Sequence, residues 1–158
     1  MVRARPRVFQ GAADGRGRRV AVVAGRFNEY VTKHLVEGCL DTLERHGVPR
    51  DRVDLVWVPG AFEIPTAARR LAKRGDVDAI IALGCVIRGE TPHFDHICRE
   101  TARGVAEIGR RTGVPTIFGV LTVDTLEQAI ERAGAKLGNK GREAAEAAIE
   151  MANLVRSI

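Results

Sequence analysis

The sequence predicts an α/β domain, with four parallel strands in one sheet and helices on both faces. Three observations predict it. Short apolar runs alternate with amphipathic stretches along the whole chain. The apolar runs are continuous rather than alternating, as strands covered on both faces require. The length, 158 residues, suits one domain with a sizeable core. Right-handed crossovers between successive strands complete the expected topology.

The elements follow in order. RRVAVVAG (18–25) is the first strand, ending near Ala24. YVTKHLVEGCLDTLERHGV (30–48) is a helix with Val31, Leu35, Cys39 and Leu43 on one face and Gly47 as a stop. RVDLVWVPG (52–60) is the second strand. IPTAARRLAKRG (64–75) is a helix that tolerates Pro65 in its first turn. VDAIIALGCVI (77–87) is the third strand, apolar almost throughout. FDHICRETARGVAEIGRR (94–111) aligns Ile97, Thr101, Val105 and Ile108. PTIFGVLT (115–122) is the fourth strand, and DTLEQAIERAG (124–134) a helix that Asp124 is expected to cap with Glu127. AGAKLGNKG (133–141) reads as a Gly-rich hinge before an Ala-rich last helix, GREAAEAAIEMANLVRS (141–157). The whole is a three-layer α/β/α sandwich of the flavodoxin-like kind. No internal repeat or low-complexity segment interrupts it.

Residues 1–15 read as an N-terminal arm and 16–158 as a single domain. RVFQG (7–11) could add a short strand to a sheet edge, in this subunit or a neighbour. The net charge of +5 lies in the arm and its root: residues 1–19 hold six arginines (3, 5, 7, 16, 18 and 19) against Asp14. The rest of the chain holds 19 basic and 19 acidic side chains. A body with no net charge argues against a nucleic-acid partner, and the arginines read as a solvated tail. No apolar run is long enough to span a bilayer, and no signal peptide is expected. Three cysteines with no CxxC spacing fit reduced, packed thiols in the cytoplasm.

Function is sought beyond the carboxyl ends of the strands, where open parallel sheets bind ligands. The first strand leads into GRFNE, with Phe27 and Asn28; the second into PGAFEIP, with Phe62 and Glu63. The third leads into RGETPHFD, and the fourth contains Phe118. The chain has only seven aromatics, so Phe27, Phe62 and Phe118 near these ends suggest a stacking pocket. Thr91 is expected to cap the following helix, with Pro92 at its first position. The N–H groups of Gly89, Glu90 and Thr91 would then face an anion, best a phosphate. His93 beside it could move protons, although spacing alone allows a capping or packing role as well. Arg132 and Lys140 are candidate anion or carbonyl partners. His93 and His96 with Cys85 and Cys98 lack two close ligand pairs, so no metal is expected.

GRFN, VPGAFEIP, GCVIRGETPHFD, FGVLT, ERAG and GNKG followed by AIEMANL closely resemble, in order, the motifs of the 6,7-dimethyl-8-ribityllumazine synthases, the riboflavin synthase beta-chain family. The resemblance runs from about Arg19 to Ser157. It implies a cofactor-free transferase that condenses 5-amino-6-(D-ribitylamino)uracil with 3,4-dihydroxy-2-butanone 4-phosphate, releasing phosphate and water. It further implies that Phe27 stacks on the pyrimidine and that Ala61, Phe62 and Glu63 line the ribityl pocket. Cys85, Val86 and Ile87 would present backbone groups to the heterocycle, where the family often has a small or hydroxyl residue in place of Cys85. Glu90 and Thr91 would hold the phosphate with Arg132, and His93 would transfer protons. Phe118 and Lys140 would complete the site, from a neighbouring subunit. The resemblance also implies a pentamer, a 60-subunit shell favoured by the short connection at 133–141, and association with riboflavin synthase. A different class, a non-catalytic flavin-binding or cage protein on the same fold, would keep Phe27 but lose the phosphate grip of Thr91, His93 and Arg132.

Overall fold

The computed structural model describes residues 4–158. Four strands, β1 (Val20–Gly25), β2 (Val53–Val58), β3 (Ala79–Ile87) and β4 (Thr116–Val123), form one parallel sheet in the order β2-β1-β3-β4. The central strands β1 and β3 carry the longest apolar runs for a physical reason: both of their faces are covered. Val20, Val22 and Ala24 face one layer while Ala21 and Val23 face the other. Ile81 and Leu83 likewise oppose Ile80 and Ala82. Each fully buried valine, leucine or isoleucine among them stabilises the fold by about 1.5–3 kcal/mol.

Helices α1 (Glu29–Arg45), α4 (Leu126–Arg132) and α5 (Lys140–Ser157) cover the first face, and α2 (Ile64–Arg74) and α3 (His93–Thr112) the second. The fold is thus the expected three-layer α/β/α sandwich of the flavodoxin-like kind. Val31, Leu35, Cys39 and Leu43 are all buried on α1, as their spacing predicts. Phe94 joins Thr101, Val105 and Ile108 on the buried face of α3, whereas Ile97 is only half-buried. α2 and α3 stop at Gly75 and Gly113, whose φ angles of 76° and 73° lie in the left-handed region.

Several local expectations are corrected. α3 begins at His93 with Pro92 at the capping position, one residue later than expected. The Thr91 hydroxyl accepts only a long bond, 3.4 Å, from the His93 N–H. α4 is capped by Thr125, not Asp124: its hydroxyl accepts from the Gln128 N–H at 3.2 Å, and Gln128 Oε1 accepts from the Asp124 N–H at 2.8 Å. Asp124 is free to bind Arg88 instead. The connection at 133–141 is no simple hinge. It folds into a small antiparallel pair, β5 (Ala133–Ala135) and β6 (Gly138–Asn139), before Asn139 caps α5.

RVFQG forms no strand among the described residues, and Val8 and Phe9 are exposed. Residues 1–3 of the expected arm, with Arg3, lie outside the described residues. The root of the arm is tied down. Asn153 Nδ2 donates to the carbonyls of Ala12 and Asp14 at 2.7 and 2.8 Å, and Asn153 Oδ1 accepts from Arg18 at 2.7 Å. At the amino ends of the strands, Arg19 and Arg74 share Asp54 at 2.8 and 2.9 Å, and Arg156 holds Asp78 at 2.9 Å. These pairs lie at the end of the sheet opposite the cavity described next.

Candidate active site

The strand order reverses between β1 and β3: from β1 the chain goes first to β2 on one side, then to β3 on the other. Such a switch point opens a crevice at the carboxyl ends of the strands. Here it holds a cavity of about 760 Å³. Phe27, Asn28, Ala61, Phe62, Glu63, Cys85, Val86, Ile87, Gly89, Thr91 and His93 line it. All of these were expected from the sequence.

The β1–α1 corner is built tightly. The N–H groups of Arg26 and Phe27 donate to Val58 and Pro59 carbonyls at 2.8 and 3.0 Å, zipping the end of β1 to the end of β2. A Cβ on Gly25 would lie 3.2 Å from the Gly60 carbonyl carbon, so a larger residue would push the two corners apart. Asn28 adopts left-handed backbone angles, φ 60° and ψ 44°, which Asn tolerates better than most residues. Its side chain donates to the Cys85 carbonyl at 2.9 Å and so bridges β1 and β3 across the switch point. With the corner held this way, Phe27 stands 74% exposed at the cavity rim. An aromatic ring that exposed, on a backbone this constrained, is a stacking surface in waiting.

The Cys85 side chain packs into the α1–α5 face of the core. Burial pushes its thiol up to about 11, so it remains a neutral thiol at physiological pH. Glu63 closes the short 3₁₀ turn Ala61–Glu63 that leads into α2, and its carboxylate is exposed on the cavity wall.

The third corner runs from Arg88 to His93. Arg88 N–H donates to the Val123 carbonyl at 2.9 Å, and there the ladder ends. Beyond it Gly89, Glu90 and Thr91 are exposed, and their N–H groups have no acceptor among the described residues. Three such donors ahead of a 20-residue helix suit an anion. His93 is exposed at the first position of α3, on the same rim.

Three expected site residues are elsewhere in the chain. Phe118, Arg132 and Lys140 meet on a second concavity of about 420 Å³ along β4 and α5, which shares no lining residue with the first. Phe118 pairs with Ala82, well before the carboxyl end of β3. Within one chain, therefore, Arg132 does not join Thr91. Arg132 donates to the Gln128 carbonyl at 3.0 Å, and Lys140 pairs with Glu143 at 2.7 Å. The aromatic cluster expected at one sheet edge reduces, in one chain, to Phe27 and Phe62.

The sequence reading missed Pro59, Gly60, Phe94 and Ile97 on the cavity wall and Glu143 beside Lys140. Pro59 and Gly60 stand inside the PGAFEIP motif and were within reach of it. Ile97 reads as core and Phe94 is given no role, because helical spacing does not mark where a buried face meets a cavity. Among the described residues, no cluster of His, Cys, Asp and Glu could hold a metal ion, and no helix is long and apolar enough to cross a membrane. A family model described as 6,7-dimethyl-8-ribityllumazine synthase matches residues 17–156, everything but the first 16 and the last two residues.

Proposed function

The chain belongs to the 6,7-dimethyl-8-ribityllumazine synthase family, and from that premise we propose how its own residues divide the reaction. The enzyme is a transferase of riboflavin biosynthesis: it joins 5-amino-6-(D-ribitylamino)uracil to 3,4-dihydroxy-2-butanone 4-phosphate and releases phosphate and water. The aminouracil stacks on Phe27, with its ribityl chain along Ala61, Phe62 and Glu63 and its ring edge against the main chain of Cys85, Val86 and Ile87. The phosphate sits on the N–H groups of Gly89, Glu90 and Thr91. The observation that supports this division best is the single cavity at the switch point, with an exposed aromatic at one rim and unpaired N–H donors at the other.

The steps follow from that arrangement. The 5-amino nitrogen attacks the ketone, and loss of water gives an imine. Proton removal from the neighbouring carbon lets the phosphate depart with the C–O bonding pair. The enol left behind tautomerises to a new ketone at the carbon that bore the hydroxyl; this carbonyl accepts the ribitylamino nitrogen, and a second water leaves. His93 stands where it can carry protons between these centres. The leaving anion is stabilised by donors that point at it before it forms. Much of the acceleration is positional, since holding two reactants together can supply up to about 7–11 kcal/mol.

Phe118, Arg132 and Lys140 complete the site from an adjacent copy, with Arg132 closing over the phosphate. β4 is an edge strand, and the concavity beside it is open. The assembly is a pentamer, with twelve pentamers in a 60-subunit shell, and the N-terminal arm adds its strand to a neighbour. Location in the cytoplasm and association with riboflavin synthase belong to the same reading. A phosphate-release assay with both substrates, run beside light scattering, tests it. Turnover by a particle of five subunits or more is expected; full turnover by a monomer would overturn the shared site.

A further inference from the structure

Arg88 is not among the residues lining the cavity, yet it makes more contacts than its exposed position requires. Its Nε donates to Asp124 Oδ1 at 2.8 Å, at the corner between β4 and α4. Its Nη1 lies 3.5 Å from Asp95 Oδ1, in the first turn of α3. Its guanidinium carbon stands 4.3 Å over the ring of Phe94, the residue after His93. Its own N–H is the last ladder bond before the loop, to the Val123 carbonyl. One side chain thus ties β3, β4 and the first turn of α3 together. Between its anchor points runs only the exposed loop 89–92.

We propose that Arg88 is the positioning residue for the phosphate loop: by bracing Asp124, Asp95 and Phe94, it fixes how the N–H groups of Gly89–Thr91 and the ring of His93 face the phosphate. The inference deepens the reading given under Proposed function and rests on it. The planar fork suits the role. A guanidinium can hold a carboxylate at its edge while stacking its face on an aromatic ring, and an ammonium cannot do both. Without the brace, the Thr91 hydroxyl, through a hydrogen bond already stretched to 3.4 Å, is the one side chain left to restrain the entry to α3 among the described residues, beside main-chain bonds to the Pro92 carbonyl at 3.0 and 3.4 Å. Of the residues that hold the aminouracil, Phe27 and Ala61–Glu63 lie on the other two corners, and Cys85–Ile87 act through main chain held in the β3–β4 ladder, to which the Arg88 side chain contributes nothing.

The test compares Arg88→Gln, Arg88→Lys and Asp124→Asn with Thr91→Val, using inorganic phosphate as a competitive inhibitor and separate KM values for the two substrates. Arg88→Gln is expected to raise the phosphate inhibition constant and the KM for the ketose phosphate about tenfold, less than the hundredfold that an ångström of misplacement can cost. The KM for the aminouracil should stay within about twofold of wild type, because its contacts do not rest on the Arg88 side chain. Asp124→Asn should follow Arg88→Gln, and Arg88→Lys should recover only part of the loss. A proportional rise in both KM values would reveal a general structural role and overturn the proposal, as would full rescue by lysine. If Thr91→Val weakens phosphate while Arg88→Gln and Arg88→Lys do not, the positioning role fails and the phosphate loop stands. If neither Thr91→Val nor the Arg88 variants affects phosphate, the positioning role fails, and if inorganic phosphate does not compete with the ketose phosphate even in the wild type, the loop itself is misassigned and the proposal falls with it.

Discussion

Two crippled variants of this enzyme should rescue one another when mixed. Phe118 pairs with Ala82, whereas the strand ends at the cavity are marked by the pairing of Ile87 with Val123. Five residues of strand separate those positions, roughly 16 Å at about 3.3 Å per residue. Phe118 is therefore out of reach of its own chain's Phe27, Arg132 and Lys140 share its concavity rather than the first, and on the proposed reading a neighbour presents all three. Take Phe27→Ala and Arg132→Ala, carry different tags on each, and co-express them in equal amounts. A working site needs an intact Phe27 from one chain and an intact Arg132 from the next. Random mixing makes each condition true half the time, so about one quarter of the sites are intact in a closed ring of any size. The control is the double variant mixed with wild type. A shared site again predicts about one quarter of wild-type turnover, and a site within one chain predicts about one half, by the same symmetry argument. Phosphate release per total subunit is the measurement, with tandem purification on both tags to prove mixing. Turnover of the mixed single variants no higher than the mean of the two parents would sink the shared site.

The other expectations concern single residues. His93→Ala should keep measurable turnover and near-normal substrate affinity, since orientation outlives the imidazole; abolition of turnover with intact affinity would show that proton transfer dominates. Gly141→Ala should destabilise the fold, because its Cβ would meet the Leu35 carbonyl where α5 crosses α1. A cost of about 1–3 kcal/mol is expected of such overpacking, read as a lower urea midpoint; an unchanged midpoint would mean that the helices part freely. Burial pushes the Cys39 thiol from 9.0 up to about 12. The folded form therefore keeps a proton that the unfolded chain sheds, and stability is lost as the pH rises from about 9 toward 12. Cys39→Ala should flatten that alkaline decline in chemical denaturation, and equal slopes in the two proteins would exclude the thiol as its cause.

The sheet and most of the cavity were legible because both leave marks on the chain. β1 and β3 are apolar without interruption since both faces are covered, and the three corners announce themselves by glycine, proline and aromatic residues out of step with helical or strand spacing. Other features were not legible for equally physical reasons. Thr91 and Thr125 are both plausible caps, and only the backbone path shows that one holds a long bond and the other a firm one. GNKG marks a turn but not that the residues around it pair as β5 and β6. Phe118 looks like its fellow aromatics in the sequence; its distance from them is a matter of strand register, which no local pattern encodes. Arg88 is one arginine among many until its three partners, up to 36 residues away, are brought around it.

The fastening of the arm by Asn153 sets a leash length. Ala12 and Asp14 are pinned to α5, so a protein fused to the amino terminus would swing from there wherever the arm is not laid on a neighbour. Ten residues precede Gly11, which abuts Glu150, and a chain of that length spans at most about 36 Å. Cutting Asn153 back to alanine would move the pivot toward Gly15, whose N–H still donates to the His46 carbonyl at 2.7 Å, and widen the radius that such cargo sweeps.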